Sequence, residues 1–247
     1  PVGGAPLALA PMLAAGNSSN KGGKETKTVA DVLQGVTQVL SRRSLLELSY
    51  SYSQSKGYLT DPYKILSVID PVSGLLVAGP VGSGRSLYRF ESRPDARTKH
   101  SLFTEWRHAF DRDSLALNYR VMTDDWGVLS HTVDARYRLN WGKGSYLEPH
   151  ARYYRQGAAD FYRTALFANA TLPAFASADY RLAENTAVTA GVKYGRSLRG
   201  GEFSVRLEYY RQTAKASSGV AVGALAGYDL VPPLSAVIAQ FGYRFDL

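Results

Sequence analysis

Ala236-Val237-Ile238-Ala239-Gln240-Phe241-Gly242-Tyr243-Arg244-Phe245-Asp246-Leu247 changes character from one residue to the next. Val237, Ala239, Phe241, Tyr243 and Phe245 share one parity and are mostly bulky and apolar. Gln240, Gly242 and Arg244 share the other and are small or polar. A repeat of two is a strand, because successive side chains of a strand point to opposite faces. A Phe-Tyr-Phe face backed by an Arg-bearing face suits a strand with lipid on one side and a wet lumen on the other. The competing reading is the last strand of a soluble β-sandwich, with charge outward and the core inward.

Working back from that strand, the same alternation recurs. Phe203, Val205, Leu207 and Tyr209 oppose Glu202, Ser204, Arg206 and Glu208. Val188, Ala190, Val192 and Tyr194 oppose Thr189, Gly191 and Lys193. Ala176, Ala178, Tyr180 and Leu182 oppose Ser177, Asp179 and Arg181. The clearest case is Val133, Ala135, Tyr137, Leu139 and Trp141 against Thr132, Asp134, Arg136, Arg138 and Asn140. Leu147, Ala151 and Tyr153 oppose Glu148, His150 and Arg152; Leu115, Leu117, Tyr119 and Val121 oppose Ala116, Asn118 and Arg120. Leu102, Thr104 and Trp106 oppose Phe103, Glu105 and Arg107, and Leu46, Leu48, Tyr50 and Tyr52 oppose Glu47, Ser49, Ser51 and Ser53. The first strand, about Thr28–Leu40, alternates poorly. The pattern predicts an all-β chain, an antiparallel transmembrane β-barrel with about ten strands in this sequence.

Between the strands, residues 1–27 read as a loop or plug-like segment and 28–247 as the barrel. Long loops are expected at 56–97, 157–173 and 214–234, the first either carrying a short helix near Tyr63–Val68 or folding into the lumen as a constriction. Such loops argue against a compact soluble domain and suit the rim of a barrel. The aromatics Tyr50, Tyr52, Trp106, Trp141, Tyr194, Tyr209, Phe241, Tyr243 and Phe245 are expected at strand ends, in two belts at the lipid interfaces.

Composition narrows the function classes. The chain has 247 residues, seventeen of them Tyr, with no Cys and a net charge of +8. Its basic residues are dispersed along strands among acids, so they form no nucleic-acid patch. No run approaches the roughly 18 apolar residues of a membrane helix, an absence that leaves barrels open. The sequence has no signal peptide, so an outer-membrane reading expects a longer precursor.

The candidate site is the charged face. Glu47, Glu105, Arg107, Arg120, Asp134, Arg136, Arg138, Glu148, Arg152, Asp179, Arg181, Lys193, Glu202, Arg206, Glu208 and Arg244 are expected to line the lumen. They form either a salt-bridged wall or a charged pore, opposite charges being placed within reach on neighbouring strands. Catalytic constellations are weak. His131 and Asp134 fall on opposite faces of a strand, as do His100 and Ser101. The four His show no metal-ligand spacing, and no catalytic residue, metal site or cofactor is expected. Asp124-Asp125-Trp126-Gly127 reads as a polar turn beside an interfacial Trp.

The runs Asp61-Pro62-Tyr63-Lys64-Ile65-Leu66-Ser67-Val68-Ile69-Asp70-Pro71, Arg93-Pro94-Asp95-Ala96-Arg97-Thr98-Lys99-His100-Ser101, Tyr119-Arg120-Val121-Met122-Thr123-Asp124-Asp125-Trp126-Gly127, Ser130-His131-Thr132-Val133-Asp134, Ala159-Asp160-Phe161-Tyr162-Arg163 and Ala176-Ser177-Ala178-Asp179-Tyr180-Arg181-Leu182 resemble those of a family of proteobacterial outer-membrane proteins. That family is catalogued only as a domain of unknown function. The resemblance covers nearly the whole chain. It implies the C-terminal portion of a larger barrel, with outer-membrane lipid as its surroundings. It also implies an envelope redox context, with a small lipoprotein or other envelope protein as partner. The expected function is a passive pore or a structural sheath or scaffold for such a partner. The alternative is a barrel enzyme acting on lipid or peptide at the rim. The last expectation is that Thr28–Leu40 does not pair with Ala236–Phe245, so these residues leave the barrel unclosed.

Overall fold

The computed structural model describes residues 9–11, 25–61, 64–79, 86–142 and 144–245. Its frame is a nine-stranded sheet of β2 (Lys27–Ser41), β3 (Ser44–Gly57), β6 (Ala96–Ala109), β7 (Ser114–Asp124), β8 (Leu129–Trp141), β9 (Ser145–Gln156), β11 (Asn185–Leu198), β12 (Gly201–Ala214) and β13 (Leu234–Phe245). These strands lie side by side in chain order, and every neighbouring pair is antiparallel. Apart from β2, the strands form because apolar and polar residues alternate along them, which a pleated strand sorts onto two faces.

β2 and β13 are the two edges of this sheet and are not paired with each other. The described residues therefore make an open antiparallel sheet, and a closed barrel is not among them. Nine strands, not ten, compose it. The expected strand at Ala176–Leu182 is instead a bridge from Ala176 to Ser92, a bridge from Ser177 to Tyr162, and a 3-10 turn at Tyr180–Leu182. Its alternation is deceptive because both parities are buried, Ala176 and Leu182 on one and Ser177 and Asp179 on the other. Asp179 also accepts a bond from the backbone N–H of Arg181, which caps the turn and bends the chain out of extension.

Connections alternate between two rims. Tight turns join β2 to β3, β6 to β7, β8 to β9 and β11 to β12. At the opposite rim β3 is joined to β6, β9 to β11 and β12 to β13 by long segments, while β7 to β8 is short. The long segments fold together into a cap with a second sheet of β1 (Leu9–Pro11), β5 (Ser86–Phe90), β4 (Ile65–Ile69) and β10 (Leu166–Phe167), in that order. β4 stands where a short helix was expected. Its run Ile65-Leu66-Ser67-Val68-Ile69 is buried on both faces, as a central strand's is, so the apolar run lacks the two-sided contrast that betrays a strand. Of the expected N-terminal segment, residues 9–11 and 25–27 are described; the rest lies outside the described residues, as do Pro62, Tyr63, residues 80–85, Lys143, Asp246 and Leu247.

The cap has ordinary apolar cores. Leu66, Val68, Leu166 and Ala176 form one, Ile69, Ala165 and Val220 a second. The third, of Trp126, Val128, Ala159, Phe161, Tyr162, Leu182 and Ala183, joins cap to sheet through Met122 and Ala214.

Candidate functional site

Register assigns each side chain of the large sheet to a face. Asp134 stands between Asn118 of β7 and Arg152 of β9, and the row continues through Glu105 and Glu47 on one side, Thr189 and Tyr210 on the other. Residues of one row share a face, so fourteen expected site residues fall on one side of the sheet: Glu47, Glu105, Arg107, Arg120, Asp134, Arg136, Arg138, Glu148, Arg152, Lys193, Glu202, Arg206, Glu208 and Arg244. This face is the concave one, for five consecutive strands from β3 to β9 line a single cavity of about 490 Å³. Polar residues are the buried ones here: Ser130, Thr132, Asp134, His150 and Gln156.

The opposite face is apolar and exposed. Leu48, Leu102, Leu117, Val133, Val188 and Leu207 are all open to the surroundings, and Phe241 is 75% exposed. All nine expected interface aromatics stand on this face. Trp106, Trp141, Tyr194, Phe241, Tyr243 and Phe245 lie toward the tight-turn ends of their strands, with ring contacts such as Trp141–Tyr194 at 6.2 Å and Tyr243–Phe245 at 4.6 Å. Tyr50, Tyr52 and Tyr209 lie nearer mid-strand, so strand ends do not collect every aromatic. Trp126 is buried against Phe161 in the cap, 4% exposed, and not interfacial; Asp124 fixes its turn by accepting from the N–H of Trp126 and of Val128.

The charges of the concave face are knitted in a way residue parity does not reveal. The directly opposed cross-strand ion pair is Glu202–Arg244 at 3.6 Å. Several others run along one strand at i and i+2: Glu105 with Arg107, Asp134 with Arg136 at 3.6 Å, and Arg206 with Glu208 at 3.4 Å. Arg206 also reaches Glu148 at 3.6 Å. At the centre His150 bridges two strands' carboxylates, Nε2 to Asp134 at 2.8 Å and Nδ1 to Glu208 at 2.7 Å. Gly191 makes that second contact possible. It lies between His150 and Glu208 in register, and a Cβ there would stand 2.5 Å from the Glu208 Cγ. With both nitrogens held by carboxylates, His150 braces β8 and β12 across β9. Gly195 plays a similar part for Tyr146, whose ring lies over it, donates to Glu202 at 2.9 Å and stacks under Arg138 at 3.5 Å. Lys193 lies 5.4 Å from the same ring.

Asp179 and Arg181 do not join this face. They belong to the cap, in a buried network that parity reasoning missed. Arg93 donates through Nη2 to Glu91 at 3.0 Å and to Asp179 at 2.9 Å. Glu91 accepts from the Asp61 N–H at 2.6 Å and from the Ser177 hydroxyl. Arg181 holds both oxygens of Asp179 through Nε at 2.9 Å. Burial pushes the Asp179 carboxyl up, but hydrogen bonds from Arg181 and Arg93 outweigh it and bring it down to about 2. Gln156, at the end of β9, ties the segment to the sheet by donating to the carbonyls of Arg181 at 2.9 Å and Ala183 at 2.8 Å.

The outward His are paired with hydroxyls: His100 with Tyr50 at 2.7 Å, His131 with Tyr119 at 2.6 Å, and His108 with Ser44 at 2.7 Å. Among the described residues no group of three His, Asp or Glu is placed to hold a metal. No helix is long and apolar enough to cross a membrane, which says nothing about crossing by strands.

The fold and site define the class: an all-β protein whose antiparallel sheet encloses its charged face and exposes its apolar one. The chain belongs to the family described as a protein of unknown function (DUF3570), whose model matches residues 10–245. No curated protein matches the chain.

Proposed function

We propose that the chain forms the wall of a bacterial outer-membrane β-barrel, capped at its long-loop rim, that works as a gated passive pore or as a scaffold for an envelope partner such as a small lipoprotein. The observation that carries this is the inversion of burial across the large sheet. A soluble protein seldom exposes contiguous apolar surface beyond a few hundred Å². Here one face of the sheet carries most of its large apolar side chains exposed, while Asp134 and His150 are buried on the other. Lipid reverses the penalty on the first face, and a wet interior satisfies the second.

In lipid, neither edge can stay unpaired, because each bare N–H or C=O in hydrocarbon costs several kcal/mol. β2 and β13 run in the same direction, being separated by eight antiparallel steps. An odd number of further strands therefore closes the barrel with antiparallel pairs throughout. Short turns of such barrels face the periplasm, which sets the cap toward the outside.

Planar-bilayer recording tests the function. The capped reading predicts little steady conductance for the wild type and a clear rise on loosening the cap with Gln156→Ala. High conductance in the wild type would leave a plain open pore. A silent channel in both would leave the scaffold reading alone.

A further inference from the structure

We infer that the cavity on the concave face binds a soluble hydroxylated anion with the chemistry of a sugar phosphate. The cavity, about 490 Å³, is in the size range of small-molecule sites. Three of its cations, Lys99, Arg120 and Arg152, make no ion pair and no side-chain hydrogen bond among the described residues. The other lining cation, Arg136, has Asp134 beside it. Arg152 stands opposite Asp134 in register and still makes no pair with it. Positive charge outside any ion pair therefore faces the cavity, with Arg120 lying 5.4 Å from the Phe103 ring.

A second, independent feature shapes the ligand. Asp134 is 3% exposed; its Oδ2 is taken by His150, but its Oδ1 has no hydrogen-bond partner. Arg136 Nε, the nearest cation, is 3.6 Å away and itself lacks a hydrogen-bond partner. A buried acceptor without a donor is costly, and a ligand hydroxyl supplies one. A bare anion would satisfy the cations and be repelled by Asp134. A neutral sugar would satisfy Asp134 and leave three cations unmatched. A hydroxylated anion answers both, and Ser51, Ser101 and Thr132 add hydroxyls on the same wall.

The inference rests on the proposed wet interior, so its test is kept separate from lipid placement. The full chain in nanodiscs is titrated calorimetrically with glucose 6-phosphate, glucose and inorganic phosphate at one ionic strength. Glucose 6-phosphate should bind saturably at one site, at least tenfold tighter than either simpler compound. Arg120→Gln and Arg152→Gln should each weaken it tenfold or more while the circular dichroism spectrum stays unchanged. Asp134→Asn should reduce the preference for glucose 6-phosphate over phosphate. Equal binding of glucose 6-phosphate and phosphate, or affinities unaffected by either Arg substitution, would overturn the inference. Quenching of the outward tryptophans by brominated lipid, read on the same samples, separates the two ideas. Lost binding with quenching intact removes only this site, and binding without quenching removes only the membrane reading.

Discussion

The large sheet and the cap belong to one chain but obey opposite rules of burial. In the cap, Leu66, Val68, Ile69, Phe161 and Leu166 are inside. In the sheet, Ser130, Thr132, Asp134 and His150 are inside, while Leu117, Val133 and Leu207 are out. The same hydrophobic effect governs both, so on the proposed reading the difference lies in the surroundings of each: water around the cap, lipid along the sheet's convex face, and water held within its concave one. Where the two meet, Trp126, Met122 and Ala214 pack into one apolar cluster, which makes the cap part of the fold and not an appendage.

The largest expected effect falls on the cap. Asp179→Ala would leave Arg93, whose side chain is 10% exposed, without one of its two carboxylates. Removing one partner of a buried pair costs about 3–5 kcal/mol. Hydrogen exchange should show protection lost across 58–95 and 157–184 and kept in β6 to β9. Equal loss in the sheet would mean that the two regions are one cooperative unit.

Next comes the convex face. Val133→Arg and Leu117→Arg should each cost about 2–4 kcal/mol for folding into a bilayer if the sites lie near mid-membrane. On a water-facing surface the same change stays within about 0.5 kcal/mol. Equilibrium folding into lipid vesicles distinguishes these outcomes.

Acid should act on the cap through Asp179. The Asp179 carboxyl sits at about 2 in the fold, below its ordinary value near 3.9. A lowered carboxyl stabilises above its unfolded value, and that contribution disappears as pH falls through the folded one. The loss is on the order of 2 kcal/mol and is spread from about pH 4 down to about 2. Proteolysis of the cap at pH 2 to 5 should follow this window, and Asp179→Asn should abolish the dependence.

A smaller effect is expected at Gly195→Ala. The new Cβ would stand 2.2 Å from the Tyr146 ring, so the ring must leave its seat under Arg138. Overpacking of this kind costs roughly 1–3 kcal/mol, read as a lowered unfolding midpoint in urea. An unchanged midpoint would show that Tyr146 does not need the glycine.

Much of the sheet was legible in its residues. From β3 to β13 the two parities differ so sharply in polarity that period two leaves one assignment of faces. β2 was harder to read, since Leu33 and Val39 stand on the face that is polar elsewhere. The cap was the illegible part. β4 is apolar on both parities, and Ala176–Leu182 mimics a strand while both its parities are buried. Its structure comes from contacts between residues far apart in sequence, such as Glu91 with Ser177, and no local period encodes those. Within the site, the face of each charge was readable and the partner was not. The bond from His150 to Glu208 depends on Gly191, which presents no side chain to read.

The three tryptophans report on where lipid touches the protein. Trp106 and Trp141 stand on the convex face, and Trp126 is buried in the cap. With single-tryptophan variants in vesicles of brominated phospholipid, fluorescence of Trp106 and Trp141 should be strongly quenched and that of Trp126 should be unaffected. Quenching absent at Trp106 and Trp141 in folded protein would contradict the account.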